Sequence, residues 1–520
     1  MWLRPSAVQS RRKESGSRVR STKWKPKTLL RGIWIFRQMT TKDWLMTAAL
    51  FLPAMMLPAG LIAQGTPPAP GIIWQPRRAQ ALAKKSAAKP YDNVAHVPDK
   101  ICTLAELIDL AEQYNPETRV AWQEAKSKAD ELGIVRSSLY PTLTAVALAV
   151  SLRTATLIGQ YFHRQAQGVF EPILHMEYLV FDVGGRSGEI DVAKANLLAA
   201  DLAFNDTHRR IIYQVAEAYY RLLNAQGQRQ AAESSLENAK AVEKDAMARL
   251  ENGLATKPDE LEATAARAQA DFDLQAAVGA VDIARGDLAT ALGVDPGTAF
   301  TVEGIDQLKL PSSIADSVDQ EMNRAFSQRP DLLQQLARLR AANASLKRAR
   351  SQYFPTLSFQ GDGGLARAYG QQDLLPGSYA QGEVWSAELE LRWNLFDGAR
   401  REYRIAQANA DKKATQARID ALRDQIADEV WAAYTNMRTA LRQQQAAAAL
   451  LTASQKSYDA AHESYGYGVR NLLDVVSAQK ALAQARSEDV SARAQLLLQA
   501  TNLAFQTADF IQTQHWSPAP

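Results

Sequence analysis

The residues able to do chemistry are few and poorly spaced for it. Six histidines (His96, His163, His175, His208, His462 and His515) are scattered along the 520 residues, and none falls in an HExxH or similar metal-ligand spacing. Gly185-Arg186-Ser187-Gly188 lacks the pattern of a nucleophile elbow, and Gly466-Tyr467-Gly468 lacks the rest of a dinucleotide fingerprint. No nucleophile stands with a base in a recognisable constellation. Neither an enzyme nor a metal or cofactor site is expected. Cys102 is the single cysteine, which forbids an intrachain disulfide; it reads as a packed or free thiol. What does recur is a pair of turns. Gly253-Leu254-Ala255-Thr256 leads to Asp259 and Gly468-Val469-Arg470-Asn471 to Asp474, each acid six positions after its glycine. Glycine at both suits the positive φ of a helix C-cap. Tyr465 lies three positions before the second glycine.

The elements that must carry these turns are written twice. "AEQYNPETRV" (111–120) aligns with "AFSQRPDLLQ" (325–334), and "RSSLYPTL" (136–143) with "RSQYFPTL" (350–357), at an offset of 214. The offset becomes 215 for "LVFDVGGR" (179–186) against "NLFDGARR" (394–401), and stays there for the two glycine turns. So long a period is a duplicated domain-sized unit and not a solenoid. In each unit a short helix opens the order, from about Leu104 or Asp319. A second helix begins after Pro116 or Pro330 and stops before Pro141 or Pro355, because proline lacks an amide and disfavours helix in the preceding residue. Two strands, a very long helix, a glycine turn and a shorter long helix follow.

The strands alternate with period two. In 385–396, Trp385, Ala387, Leu389, Leu391, Trp393 and Leu395 oppose Glu388, Glu390 and Arg392. In 173–180, Leu174, Met176, Tyr178 and Val180 oppose His175 and Glu177, while 143–152 sets Val146, Leu148, Val150 and Leu152 against Ala and Ser. The segment 357–365 is weaker. The helices step by threes and fours through Ile190, Ala193, Leu197, Ala200 and Phe204, resume at Ile211, and are answered in the second half by Ile419, Ile426, Val430, Ala433 and Met437. No proline occurs between Arg186 and Gly253 or between Arg400 and Gly468, a span that as helix makes a rod on the order of 100 Å long.

Four alternating strands of about ten residues are long enough to cross a bilayer when tilted. Their edges cannot stay unpaired in hydrocarbon, and a closed barrel takes at least about eight strands. One chain supplies four, so several copies must share a barrel, eight strands in a dimer or twelve in a trimer. The competing arrangement is a soluble sheet capped by a coiled coil.

Export is written at the N-terminus. Residues 44–65 form an apolar run ending in Ala63-Gln64-Gly65, which reads as a secretory signal peptide cleaved after Gly65, with a membrane anchor as the alternative. Residues 1–65 carry 12 Lys/Arg and two acids; the totals of 60 and 56 leave 48 basic against 54 acidic residues, −6, for the remainder. The basic patch is thus an n-region and no argument for nucleic-acid binding. It is long, and Met39 would start a signal of ordinary length. The expected division is a signal peptide over 1–65, a flexible Pro/Ala/Lys-rich lead-in over 66–99, a first repeat over 100–308 and a second over 309–520. Strands are expected near 141–154, 170–181, 355–368 and 383–396. Long helices are expected near 186–252, 256–292, 400–467 and 472–510.

The "YPTL"/"FPTL" joints, the "FDVGGR"/"FDGARR" turns and the "GLAT"/"GVRN" tips resemble the outer-membrane efflux protein family, the TolC type, over about residues 100–512. That resemblance implies a mostly α fold with a membrane β-barrel portion. Long antiparallel coiled coils would form a trimeric α-barrel in the periplasm of a Gram-negative bacterium, and four strands per protomer would share a 12-stranded barrel in the outer membrane. It implies a passive exit duct without cofactors, docked on a periplasmic adaptor and an inner-membrane pump in tripartite efflux or type I secretion. Residue by residue it assigns Asp259, Tyr465, Arg470 and Asp474 to the periplasmic gate. There Tyr465 and Arg470 would clasp Asp259 in charge-assisted hydrogen bonds, each weak when exposed and so dependent on threefold repetition. It assigns Gly253, Leu254, Ala255, Thr256, Gly468, Val469, Arg470 and Asn471 to adaptor contact. Ser477 stands where the family's pore ring has its second acid. The segment 294–317 resembles the family's belt between repeats. The rival function is an exported coiled-coil scaffold or adhesin without channel activity.

Overall fold

The computed structural model describes Lys85 and residues 101–298, 300–314, 317–372 and 377–509. The signal peptide, the Met39 start and the lead-in other than Lys85 lie outside the described residues, as do His96 and His515. The chain divides into two compact units, Met1–Pro90 and Tyr91–Pro520, and the second holds every element that follows. Its first repeat runs β1 (Ile101–Cys102), α1 (Leu104–Tyr114), α2 (Pro116–Ser137), β2 (Thr142–Ile158), β3 (Tyr161–Phe181), α3 (Gly185–Glu251) and α4 (Lys257–Leu292). The second runs β4 (Thr301–Val302), α5 (Val318–Gln328), α6 (Pro330–Ser351), β5 (Thr356–Gln372), β6 (Ser378–Arg392), α7 (Arg400–Gly466) and α8 (Leu472–Thr507). Corresponding helices have identical lengths of 11, 22, 67 and 36 residues. Among the described residues no helix is long and apolar enough to cross a membrane.

Local chemistry sets these boundaries. Thr103 and Ser317 close capping boxes with Glu106 and Gln320 at the starts of α1 and α5. Pro116 and Pro330 open α2 and α6, where the missing amide is no loss. The long helices start from equivalent turns. Asp182 accepts from the Arg186 amide, and Arg186 donates onward to the carbonyls of Ser138 and Val180. Asp397 pairs with Arg401 at 3.1 Å, and Arg401 donates to the carbonyls of Asn394 and Leu395. Each turn takes two successive left-handed residues, Val183 and Gly184 (φ 49° and 89°) and Gly398 and Ala399 (68° and 62°). One member of each pair is therefore not glycine and sits strained.

The stepped apolar stripe is buried. Ile211, Val215, Tyr219 and Leu222 of α3 pack with Leu288 and Leu292 of α4, Leu107 of α1 and Leu497 of α8. In the other half Ile419, Ile426 and Val430 of α7 pack on Ala325 and Leu332. α6 packs along both α3 and α7, whereas α2 packs on α3. A buried ionic joint fastens the repeats. Arg329, only 3% exposed, donates to Asp331 (2.6 and 3.1 Å), to Glu429 of α7 (2.6 Å) and to Gln506 of α8 (3.1 Å). Arg209 of α3 adds a pairing to Asp331 at 3.8 Å and donates to the Phe505 carbonyl at 2.9 Å.

The four long strands form one antiparallel sheet of order β2-β3-β5-β6. They differ from expectation in two ways. The hairpin strands run longer outward: β3 starts at Tyr161 and not near 170, because the polar stretch 161–169 pairs with the outer half of β2 across the turn at Gly159, whose φ is 65°. β6 stops at Arg392, because Trp393 leaves the ladder and its indole donates to the Tyr353 carbonyl. The second difference concerns faces. Pairing places Leu143 opposite Met176 and Ala145 opposite Leu174, so the face bearing Trp385, Leu389 and Phe359 meets the alanines of β2. Val146, Leu148, Val150 and Leu152 fall on the opposite face, with Glu171 and His175. They do not continue the oily surface of the other strands.

Candidate functional site

Two regions carry the expected functional residues, the helical tips and the sheet faces. The tips are loops of equal length. After α3, Gly253 takes φ 71° and the Leu254 amide donates to the Arg249 carbonyl; after α7, Gly468 takes φ 74° and the Val469 amide donates to the Ser464 carbonyl. Both loops push an apolar side chain into solvent, Leu254 at 74% and Val469 at 79% exposure. Each next helix is capped in its own way. Asn471 accepts from the Asp474 amide at 2.9 Å. Asp259 closes a capping box with Thr256, accepting from the Thr256 hydroxyl at 2.6 Å and amide at 2.8 Å. Those two bonds, the hydroxyl first, hold the Asp259 carboxyl below its ordinary range.

Tyr465 is buried beneath the second tip among Val242, Ala246, Leu472 and Val475. Its hydroxyl has no hydrogen-bond partner among the described residues. Burial raises its pKa and the Arg249 charge opposes that, while Asp259 and Asp245 add to the rise. The guanidinium resting on the ring, 4.3 Å from its centroid, is that of Arg249, which also donates to the Gly466 carbonyl at 2.6 Å. Sequence reasoning missed Arg249. Its only signal was a place four residues before Gly253. Arg470 is exposed and, among the described residues of one chain, makes no ion pair with Asp259; Asp474 is half-buried in the first turn of α8. The fold thus gathers Tyr465, Arg249 and Asp259 near one tip.

The sheet has two chemically distinct faces. One carries Phe170, Leu174, Met176 and Tyr178 on β3, Leu357, Phe359 and Leu365 on β5, and Trp385, Leu389 and Leu391 on β6. From Phe170 to Tyr178 this apolar band spans on the order of 25 Å of strand. At its outer end, where Arg367 pairs with Phe170 and Glu383 with Leu365, the same face turns polar, and Tyr369, Tyr379 and Arg153 follow towards the hairpin turns. An apolar belt ending in tyrosine and arginine is the signature of a lipid-facing barrel wall. The other face is polar. His175 meets Asp362 at 2.7 Å, the Ser386 hydroxyl donates to the same carboxylate at 2.9 Å, and Gln360, Glu388 and Glu390 line up beside them. Among the described residues the edges β2 and β6 have no partner on their outer sides.

A sheet with one lipid face, one wet face and two open edges, set on paired rods of about 100 Å, defines one protomer of an outer-membrane channel. The chain belongs to the outer membrane efflux protein family, whose model matches residues 107–294 and 322–508, one match per repeat. It is 29% identical over 406 residues to protein CyaE of Bordetella pertussis, covering 77% of this chain and 82% of that one. It is 26% identical to outer membrane protein OprJ of Pseudomonas aeruginosa, covering 72% and 78%. The crystal structure of the Campylobacter jejuni CmeC outer membrane channel superposes with a TM-score of 0.66 at 18% identity, covering 78% of this chain and 85% of that one. The family is one of transport channels. The protein is an outer-membrane channel of the TolC type, a passive exit duct for efflux or secretion.

Proposed function

We propose that three copies of this chain close a 12-stranded outer-membrane barrel over a periplasmic α-barrel, and that the helical tips dock a periplasmic adaptor joined to an inner-membrane pump. One observation carries the assembly: the duplication is incomplete within a single chain. α6 lies between α3 and α7, while its counterpart α2 has α3 on one side only and exposes Val120, Trp122 and Ile134. The α7 of a neighbouring copy supplies the missing side, and β6 of that copy the missing partner of β2. In the same assembly Arg470 of one copy reaches Asp259 of another and joins Tyr465 in clasping it, while Asp474 takes its place in the acidic ring that narrows the pore. The tip residues Gly253, Leu254, Ala255, Thr256, Gly468, Val469, Arg470 and Asn471 form the adaptor contact, with Leu254 and Val469 as its apolar points. Exposed charge pairs contribute little singly, so the gate holds by repetition and an adaptor can open it. The double substitution Arg470→Ala with Tyr465→Phe raises single-channel conductance in planar bilayers; unchanged conductance removes both residues from the gate.

A further inference from the structure

The wet face of the sheet is not uniformly wet. On β3, β5 and β6 it carries Glu177 and Glu388, with His175 paired to Asp362 and Glu390 paired to Arg392 at 2.7 Å. On β2 the residues of that face are Val146, Leu148, Val150 and Leu152, directly opposite Ile173, Glu171, Val169 and Gln167 of β3. The four are 42–50% exposed, and among the described residues β2 packs only on β3. With a spacing of two residues they make an unbroken apolar ladder about 20 Å long. β2 and β6 are the two edges of the sheet. In a closed barrel the ladder of one copy therefore stands beside the Glu388 strand of the next, and the lumen sets an apolar stripe against a carboxylate.

Neither feature alone selects a cargo. A wholly acidic wall attracts every cation, and an apolar strand in water attracts any oily molecule. Side by side they fit a molecule that has both properties. We propose that this lumen favours amphipathic cations, whose apolar body travels along Val146, Leu148, Val150 and Leu152 while the positive charge meets the Glu388 carboxylate of the adjoining β6. This rests on the channel reading above and adds a substrate class to it. Contact with the ladder removes apolar area from water, and the lost hydration of the charge is offset because a carboxylate replaces it. The β2 ladder is thus a specificity-determining element of the duct.

The test is single-channel recording in planar bilayers with two probes of equal charge, tetraphenylphosphonium and tetramethylammonium, each added to potassium chloride. The variant Val146→Thr/Leu148→Thr/Val150→Thr/Leu152→Thr keeps β-branched strand formers on a wet face, so the lipid wall is untouched. It is expected to weaken current block by tetraphenylphosphonium about 15-fold, the loss of about two methylene equivalents of contact, with tetramethylammonium block and potassium conductance unchanged. Glu388→Gln, which leaves the Glu390–Arg392 pair intact, is expected to weaken block by both cations together. Unchanged tetraphenylphosphonium block in the threonine variant, or parallel loss for both probes, overturns the proposal. Where the fourfold variant fails to insert, Leu148→Thr alone carries the same prediction at about twofold to threefold. Absence of any potassium conductance from the wild-type protein would overturn the channel reading itself, a result distinct from either of those.

Discussion

Replacing Arg329 with methionine tests the buried ionic joint at the start of α6, whose link to the first repeat runs through Asp331 and Arg209. Methionine matches the length of the arginine stem and preserves its packing, so the substitution removes the charge and the hydrogen bonds. Those bonds reach Asp331, Glu429 and Gln506, on α6, α7 and α8. Breaking a buried ion pair costs about 3–5 kcal/mol, because the surviving charges stay uncompensated. Asp331 and Glu429 retain 22% and 29% of their side-chain exposure, which places the expected cost at the low end, about 3 kcal/mol or roughly 150-fold in the folded-to-unfolded ratio. Protonation sharpens the test. Burial acts to raise the Asp331 pKa, but the Arg329 bonds and charge, with Arg209 behind them, hold it below its ordinary value. A depressed carboxyl contributes stability above its unfolded pKa of about 3.9 and loses it as pH falls through the folded value. The gap between wild type and Arg329→Met is therefore full at pH 7 and narrows at about pH 3, where the orphaned acids neutralise. Urea denaturation of the detergent-solubilised protein, followed by helical circular dichroism at both pH values, measures it. The side chain of Asn115, the equivalent cap in the first repeat, accepts from the Glu117 amide and donates to the Ala291 carbonyl, so Asn115→Ala costs about 1–2 kcal/mol. A cost for Arg329→Met below about 1 kcal/mol, or one equal at the two pH values, refutes the reasoning.

Two further outcomes follow from the backbone. Val183→Gly and Ala399→Gly each relieve a left-handed residue and raise the urea midpoint, by about 1 kcal/mol for the β-branched Val183 and less for Ala399; a lowered midpoint for Val183→Gly contradicts the strain. Gly227→Ala on α3 puts a Cβ 2.6 Å from the Val490 side chain of α8, an overpacking cost of about 1–3 kcal/mol set against about 1 kcal/mol of helix propensity. Val490→Ala in the same molecule restores stability, and a double-mutant cycle without coupling rules out the close approach.

Much of this architecture was legible in the residues, for definite reasons. Pro116 and Pro330 mark helix starts because proline suits no other helical position, and the stepping from Ile211 to Leu222 marks a buried stripe because a long rod has no other way to pack. The duplication, read at offsets of 214 and 215, reappears as helix pairs of equal length. The outer half of β3 was illegible because 161–169 mixes polar residues on both faces beyond the lipid, where no solvent enforces alternation. The face of β2 was misread because both of its faces are uncharged over 143–152, and only the register against Met176 and Leu174 decides which meets lipid. At the tips the order Thr256-Lys257-Pro258-Asp259 contained its own capping box, yet the pairing of Arg249 with Tyr465 depends on how two long helices dock and leaves no local mark.

The sharing of one barrel by several copies is tested most directly by disulfide trapping across the open edges of the sheet. In a Cys102→Ala background, cysteines placed along β2 and β6 are oxidised in isolated outer membranes and resolved by denaturing electrophoresis. The predicted result is a ladder of cross-linked species ending at the trimer, formed only when both edges carry cysteine. Chains that remain monomeric at every register, or a ladder that continues past three, would contradict the account.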